Sequence, residues 1–233
     1  MPSPTRRVVT AVLAPATLAA PLALTPIALA AAPSAVAPRI AAAQQQSDRD
    51  HMMEMARQYA AALKKLHGAA FEQAFMAGII PHHQMAVAMA RVELAHGTRP
   101  QIKAMAERVV ATQDRQIGDM TSWLKAWYGL TPDQAAARVP AGLGTMMKSM
   151  HTDMGDMSSR MTTMQAGPSV DQAFLEAMIV HHEAAVLEAG AVPGRATHPR
   201  LTALADAIVA NQNAEIKQMR TWLSAWYRQS TTR

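Results

Sequence analysis

The chain has 233 residues, of which 50% are hydrophobic and only 4% aromatic, with a formal charge of +5 and no Cys. This length is enough for one domain with a real core, and a composition rich in Ala and poor in aromatics favours helix packing over a β-sandwich. Arg6 and Arg7 of the N-terminal segment supply part of the charge and no basic stripe follows, which argues against a nucleic-acid partner.

Residues 1–30 are typical of an export signal. Arg6 and Arg7 precede an apolar stretch, and cleavage is predicted after Ala30 or after Ala43 because small residues precede both. The alternative is an uncleaved anchor, but prolines in the stretch argue against a spanning helix. We expect a periplasmic or extracellular protein, without a membrane partner in its mature form and without disulfides. Residues 31–47 are predicted to be a flexible lead-in.

Six long helices are predicted after the lead-in, and no segment alternates with the period of a strand. Glycine or proline follows most of the apolar helical runs. Thr98 and Ser169 are predicted to cap the third and fifth helices. The fold class predicted is all-α, with helices over 48–67, 72–96, 98–128, 145–165, 169 to about 193, and 198–227.

The same pattern occurs twice, at an offset of 99 residues. His82-His83 is matched by His181-His182, and Trp123 by Trp222, both Trp residues being predicted core anchors. Such self-similarity indicates a duplicated helical unit, here repeat one over 48–128, a linker over 129–144 and repeat two over 145–228. Two such halves can pack about a pseudo-twofold axis. This predicts a ferritin-like four-helix bundle with the Met-rich first and fourth helices packed against it.

The two His pairs, His82-His83 and His181-His182, interrupt apolar helical runs. The neighbours along both helix faces are apolar, so all four imidazoles are predicted to be at least partly buried. Imidazole is the commonest metal ligand and buried polar groups need partners, which favours metal ligation. The alternative is a set of core imidazoles bonded to Gln113 and Gln212. The same two Gln side chains would orient the imidazoles around a metal ion.

Methionine is the second signal, since the chain has 18 Met residues. They recur every three or four residues along the fourth predicted helix, where Leu, which specifies core packing better, is absent. Thioether and imidazole without thiolate suit Cu(I), with Ag(I) as a mimic. The alternative is core packing alone, because Met fills irregular gaps. The candidate ligands are Met150, His151, Met154, Met157, Met161 and Met164 of the fourth helix, and His51, Met52 and Met55 of the first.

A longer motif surrounds each His pair: acid-x-x-Phe-x-x-x-Met-x-x-His-His, followed by Gln-x-x-x-Ile-x-x-Met-x-x-Trp-Leu. The doubled motif, over residues 48–228, resembles the domain-of-unknown-function 305 family. The second copy matches fully from Asp171 to His182, whereas the first has Glu72 and Ile79. The resemblance implies an exported ferritin-like helical protein, with copper binding or tolerance in some members. The thioether candidates near the His pairs are Met85, Met89 and Met178.

Enzymatic interpretations fail on the residue pattern. A di-iron bundle needs two Glu-x-x-His pairs and the chain has one, at Glu93, while His182-Glu183 lacks the second His of a zinc protease. A haem bundle with His and Met axial ligands is a further alternative. The sequence predicts a non-enzymatic protein that sequesters or delivers copper through His and Met. The competing hypothesis is a structural or protein-interaction bundle in which Met and His are core packing.

Overall fold

The structure is a computed structural model and describes residues 36–227. Every regular element in this range is a helix, which confirms the all-α prediction. The predicted signal segment, 1–30, lies outside the described residues. The helices are α1 (Val36–Leu63), α2 (Gly68–His96), α3 (Pro100–Tyr128), α4 (Pro132–Ala136), α5 (Ala141–Thr162), α6 (Pro168–Ala189) and α7 (Pro199–Trp226).

Three helices begin four or more residues earlier than predicted, and one of them is α2, which begins at Gly68 instead of residue 72. Residues 36–47, predicted as a flexible lead-in, belong to α1, because their Ala and Gln residues are good helix formers. α5 begins at Ala141, directly after Pro140, and so takes up the end of the predicted linker. Within that linker Thr131 caps the short α4 as a capping box, as its sequence indicates. The division of the chain into two repeats stays a prediction.

The long helices form two hairpins that meet through α2 and α6. α2 packs along α3, α6 packs along α7, and α2 packs against α6. α1 lies against α5 and α6, while α4 and α5 lie against α2. This arrangement is compatible with the predicted four-helix bundle flanked by two Met-rich helices. Among residues 36–227, no helix combines the length and the apolar character that a membrane span needs.

The buried apolar side chains form two clusters. One includes Leu63 and Phe75 and draws on all seven of the described helices, and the other gathers residues of α2, α3, α5, α6 and α7 around Phe174. The predicted core anchors Trp123 and Trp222 are only half-buried. Each indole stacks on the Trp one turn later on the same helix, with ring centroids 5.1 and 5.4 Å apart, so part of its cover is local.

Glu72, near the start of α2, caps a helix of the other half. Its fully buried carboxylate accepts hydrogen bonds from the backbone N–H groups of Thr197 and His198, directly before α7. It also accepts from the Tyr128 hydroxyl and lies 2.6 Å from His198 Nδ1. Burial alone would raise the pKa of Glu72, but the hydrogen bonds from Tyr128 and His198 outweigh it and lower the pKa. Glu72 is therefore a charged N-cap supplied in place of a local one.

Asp171 of α6 makes the equivalent contact in the opposite direction. Its carboxylate accepts from the backbone N–H groups of Thr98 and Arg99, at 2.8 and 3.2 Å, directly before α3. Glu93 lies beside it, and burial, followed by the Asp171 carboxylate, raises the pKa of Glu93 to about 8. A side chain at Gly97 would overlap the Glu93 carboxyl, so glycine here allows that carboxyl its present position. The second cap is thus a carboxyl pair.

These contacts revise the predicted caps. Thr98 does not cap α3 with its side chain; its hydroxyl donates to Asp171 Oδ2, because the acid of the other half already takes the free amides. Ser169 lies inside α6, which has Gly167 at its N-cap and Pro168 in its first turn. Gly167 has φ +150°, a conformation that L residues rarely adopt.

Candidate metal centre

Four buried imidazoles lie where α2 meets α6. His82 and His83 of α2, and His181 and His182 of α6, are all 0% exposed. The rings of His82 and His181 meet edge to face, with centroids 4.0 Å apart. The predicted burial is confirmed, because the apolar residues on both faces of each helix are themselves in the core.

Residues of α3 and α7 hold the outer imidazole of each pair. His83 Nε2 is 2.9 Å from Gln116 Oε1, and His182 Nε2 is 2.7 Å from Glu215 Oε2. Both oxygens can only accept, so Nε2 carries a proton in each ring, and in the neutral form of the ring Nδ1 has the lone pair. Neither Nδ1 atom has a hydrogen-bond partner, although both are buried. Positions 116 and 215 are equivalent in the repeat, so one arrangement is built twice.

The inner imidazoles differ from each other. His181 Nε2 donates to the backbone oxygen of His82 at 2.9 Å, which again leaves Nδ1 unpaired. His82 has no hydrogen bond at either nitrogen; its Nδ1 lies 3.0 Å from Glu188 Oε1 without the alignment of a hydrogen bond. Glu188 is itself 0% exposed, and neither of its oxygens has a partner. A buried carboxylate thus lies against the centre.

Helices α1 and α5 bring two more polar groups to the His82 side. The Tyr59 hydroxyl and His151 Nε2 are buried without hydrogen-bond partners. Burial, followed by Glu188, raises the pKa of Tyr59, so this phenol lies within electrostatic reach of the carboxylate. A Cβ at Gly78 would overlap the Tyr59 hydroxyl, so glycine allows α1 to approach α2 here. His151, predicted as a ligand from the Met-rich helix, lies beside the backbone of Gly78.

Three of these imidazoles are neutral at pH 7. Burial, followed by the influence of His82, lowers the pKa of His83 to about 3 and that of His151 to about 4. The same two causes place the pKa of His181 well below its ordinary value. A neutral imidazole binds a metal ion without first losing a proton, so the burial prepares these rings for ligation.

The donor set fits a cation, although it does not form a ready-made cage. Buried nitrogen and oxygen atoms without partners are costly, and an ion or ordered water among them would satisfy several at once. Within residues 36–227, no three His, Asp or Glu side chains are positioned to hold a metal ion together. A metal ion at this centre would therefore use a pair of imidazoles, an added thioether or a changed rotamer.

The Met face of α5 divides into two parts. Met150 and Met154 are 0% exposed in the first apolar cluster, where they act as core packing. The other part lines a cavity of about 400 Å³ between α1, α5 and α6, beside the Asp48 carboxylate. Met157, Met161 and Met164 line that cavity, although Met161 also belongs to the second apolar cluster and Met164 follows the last residue of α5.

The other candidate ligands are dispersed. His51 is exposed on α1, with Nε2 3.8 Å from Asp153, while Met52 is buried and Met55 half-buried. Near the His pairs, Met89 and Met178 are 0% exposed and Met85 is half-buried. Residues three apart on a helix share a face. Two thioethers therefore lie one turn from a candidate imidazole: Met85 from His82 and Met178 from His181.

The predicted orienting residues, Gln113 and Gln212, are not the side chains that hydrogen-bond to the imidazoles. Those partners are Gln116 and Glu215, one turn further along α3 and α7. Gln113 and Gln212 are 2% and 4% exposed, and their side-chain oxygens have no hydrogen-bond partner. All four side chains line a cleft of about 380 Å³ between the two helices, called the α3–α7 cleft below.

Sequence reasoning missed Glu188, Gln116 and Glu215. A signal for Glu188 was available, because it lies seven residues after His181 on the same face of an otherwise apolar helix. Gln116 and Glu215 follow the noticed Gln residues by one turn, but they resemble ordinary polar surface residues in the sequence.

Solved structures of CopM share this fold. CopM in the Cu(II)-bound form is 32% identical with a TM-score of 0.55, covering 70% of this chain and 99% of its own. CopM in the Cu(I)-bound form is 30% identical with a TM-score of 0.53, covering 67% and 97%. A DUF305 fragment from Deinococcus radiodurans, 22% identical with a TM-score of 0.55, covers 69% and 99% and supports the fold alone. The search among curated proteins gives no match.

The family model described as Domain of unknown function (DUF305) matches residues 27–117 and 98–223. The two matches together cover both His pairs and nearly all of the described helices. This chain therefore belongs to the DUF305 family.

Proposed function

We propose that the protein is an exported, non-enzymatic metal-binding protein that sequesters or delivers copper, as Cu(I), through His and Met side chains. One observation carries the proposal: His83, His181 and His182 are buried, each with Nε2 engaged in a hydrogen bond and Nδ1 unpaired. Fixing one ring nitrogen orients the other as a ligand. Core imidazoles that served packing alone would have no need for three unpaired nitrogens.

The relatives support the choice of metal. CopM, about 30% identical, has been solved in Cu(I)-bound, Cu(II)-bound and Ag-bound forms. Cu(I) and Ag(I) are soft ions that accept imidazole and thioether, the donors available here without Cys. Met85 and Met178, one turn from the His pairs, are the thioethers placed to join the imidazoles.

The thioether-lined cavity supplies a second, softer place for the same ion. Met157 and Met164 are half-buried and Met161 is 2% exposed, so these residues line the cavity without being free in solvent. Unbranched thioether side chains adapt their rotamers readily. We assign the adaptable Cu(I) binding to these three residues and the preorganised binding to the His centre.

Export completes the proposal. The predicted signal over residues 1–30 would place the protein in the periplasm or outside the cell. A thiol ligand would oxidise there, whereas imidazole is not subject to that loss and thioether is less so. A copper protein without Cys suits such a compartment.

A competition titration with Cu(I), under reducing conditions, and with Zn(II) tests the function. His181→Asn with His182→Asn should weaken binding of both metals at least about tenfold, equivalent to 1.4 kcal/mol. Replacing Met157, Met161 and Met164 together by Leu should weaken Cu(I) binding alone, because Zn(II) does not favour thioether. The matched control replaces the exposed His67 and His96 by Asn and should bind both metals as the original chain does.

The competing hypothesis, a structural or interaction bundle, predicts that these substitutions leave metal binding unchanged. If the variants keep their helicity by circular dichroism and bind as many Cu(I) ions as tightly as the original chain, then Met and His are core packing. Leu replaces Met with little change of volume, so the thioether variant should retain its fold.

A further inference from the structure

The four imidazoles are closed to solvent, so an ion needs a route to reach them. On the His82 side the neighbouring polar groups are closed as well, because Tyr59 and Glu188 are 0% exposed. On the opposite side, Glu215 is 23% exposed at its side chain and contacts His182 directly. Glu215 thus links solvent to the centre.

The α3–α7 cleft has the lining of a cation route. Gln113 and Gln212, both more than nine-tenths buried, line it with oxygens that have no hydrogen-bond partner. Gln116 and Glu215 line it while holding His83 and His182. Its volume of about 380 Å³ is many times the roughly 30 Å³ that one water occupies, so a hydrated ion fits.

From this geometry we propose that the α3–α7 cleft is the entrance through which a metal cation reaches the His centre, with Glu215 as the carboxylate that captures it. The proposal rests on the proposed function and adds a route and a residue to it. The charged side chains that line the cleft among the described residues are Arg108 and Glu215. Glu215 is therefore the one group there that attracts a cation from solution.

The two halves differ in the residue that would capture the cation. The position equivalent to Glu215 in the first half is Gln116, which makes the same hydrogen bond without a charge. Only the second half therefore has a carboxylate that captures the cation, whereas both halves hold an imidazole in place by this hydrogen bond. Gln116→Glu should supply a second capturing carboxylate and accelerate association, whereas Glu215→Gln should slow it while preserving a hydrogen bond to His182.

The test measures rates. Cu(I) is transferred from a chromophoric chelator to the purified protein and back, under reducing conditions, and absorbance follows both directions. Ala214→Trp places a large ring at the exposed edge of the cleft and should slow association and dissociation together by about tenfold, as expected when access is gated, with Kd unchanged. Glu215→Gln should slow association about tenfold at low salt, and less at high salt.

The control for charge is Asp206→Asn, which removes one exposed acid from α7. Nine residues, or two and a half turns, separate it from Glu215 on that helix, so it faces away from the cleft. Should Ala214→Trp fail to fold, Ala111→Trp blocks the same cleft from an exposed position on α3.

The outcomes separate the two proposals. Tight Cu(I) binding with rates unaffected by either Trp variant would overturn the entrance and leave the copper function standing. A chain that binds no Cu(I) at equilibrium would overturn both. Slower rates in the Trp variant with an unchanged Kd, together with slower association in Glu215→Gln alone among the acid variants, would support the entrance.

Discussion

The caps at Glu72 and Asp171 have the same geometry and different chemistry. Each acid accepts from the two backbone N–H groups that precede the last long helix of the other half. Glu72 gains the Tyr128 hydroxyl as a further donor, whereas Asp171 has the carboxyl of Glu93 beside it. The same backbone contact therefore occurs in both halves, with a single anion at Glu72 and a carboxyl pair at Asp171.

The aromatic neighbours of the caps differ in the same way. Trp127 stacks in parallel on His198, with ring centroids 3.8 Å apart. At the equivalent place, Arg99 lies over Trp226, 4.3 Å from its ring centroid. In both cases the residue that donates its backbone N–H to the acid also covers an indole. The backbone N–H group is thus the same in both caps, whereas the side chain of the residue that donates it differs: Arg99 in one cap and His198 in the other.

Removal of each acid gives the largest expected difference between the caps. Glu72→Ala leaves several buried donors without an acceptor and should cost about 3–4 kcal/mol of unfolding free energy. Asp171→Ala should cost about 2 kcal/mol, because the lost hydrogen bonds are fewer and Glu93 is relieved of a carboxylate neighbour. Urea unfolding measures both, with the exposed Glu107→Ala as control. Equal losses would contradict the asymmetry.

The carboxyl pair predicts a pH effect confined to the second cap. Glu93 has a pKa of about 8 in the folded chain against an ordinary value of 4.5, so above pH 4.5 the unfolded chain holds fewer protons than the folded one. Stability from this group is therefore complete below pH 4.5 and is lost progressively as the pH rises through 8.

Glu93→Gln keeps a donor beside Asp171 and cannot ionise. At pH 8 the variant should be more stable than the original chain by at least about 1 kcal/mol, because the amide avoids the cost of a second negative charge beside Asp171. The gain should shrink as the pH falls towards 4.5. Denaturant unfolding across this range tests it, and a gain that grows towards acid pH would exclude the carboxyl pair as its source.

The smallest expected effect concerns the cover of the indoles. Arg99→Gln removes the cation over Trp226 and the hydrogen bond from Arg99 Nε to the Tyr227 hydroxyl, but leaves the backbone N–H on Asp171. The loss should be about 0.5–1 kcal/mol. Thermal unfolding of this variant beside the exposed Arg115→Gln measures the difference, and a loss as large as that of Asp171→Ala would show that Arg99 supports the cap itself.

Much of the fold could be predicted from the sequence because it depends on local signals. Helical periodicity and the absence of strand alternation together predict an all-α chain, and the repeat of the His pairs predicts a duplicated unit. The burial of His82 and its three counterparts followed from their apolar neighbours in the same way. The start of α1 did not, since an Ala- and Gln-rich segment suits both a helix and a flexible lead-in.

The partners of the centre could not be predicted, because they come from other helices. Gln116 and Glu215 lie 33 residues from the imidazoles that they hold. The division of the Met face between Met154 in the core and Met157 at a cavity has the same origin. Periodicity identifies the face of α5, but the neighbouring helices determine which of its sulfurs are covered.

The exchange of caps has a consequence for the symmetry of the molecule. A half-chain carries an acid near the start of one helix and two free amides before the next, and within that half the two do not meet. Two copies of such a half would satisfy each other by a rotation of 180°, as an isologous pair does. The present chain holds both members of that pair covalently, and its two halves differ at Glu93, whose counterpart 99 residues on is Val192, and at Glu215, whose counterpart is Gln116.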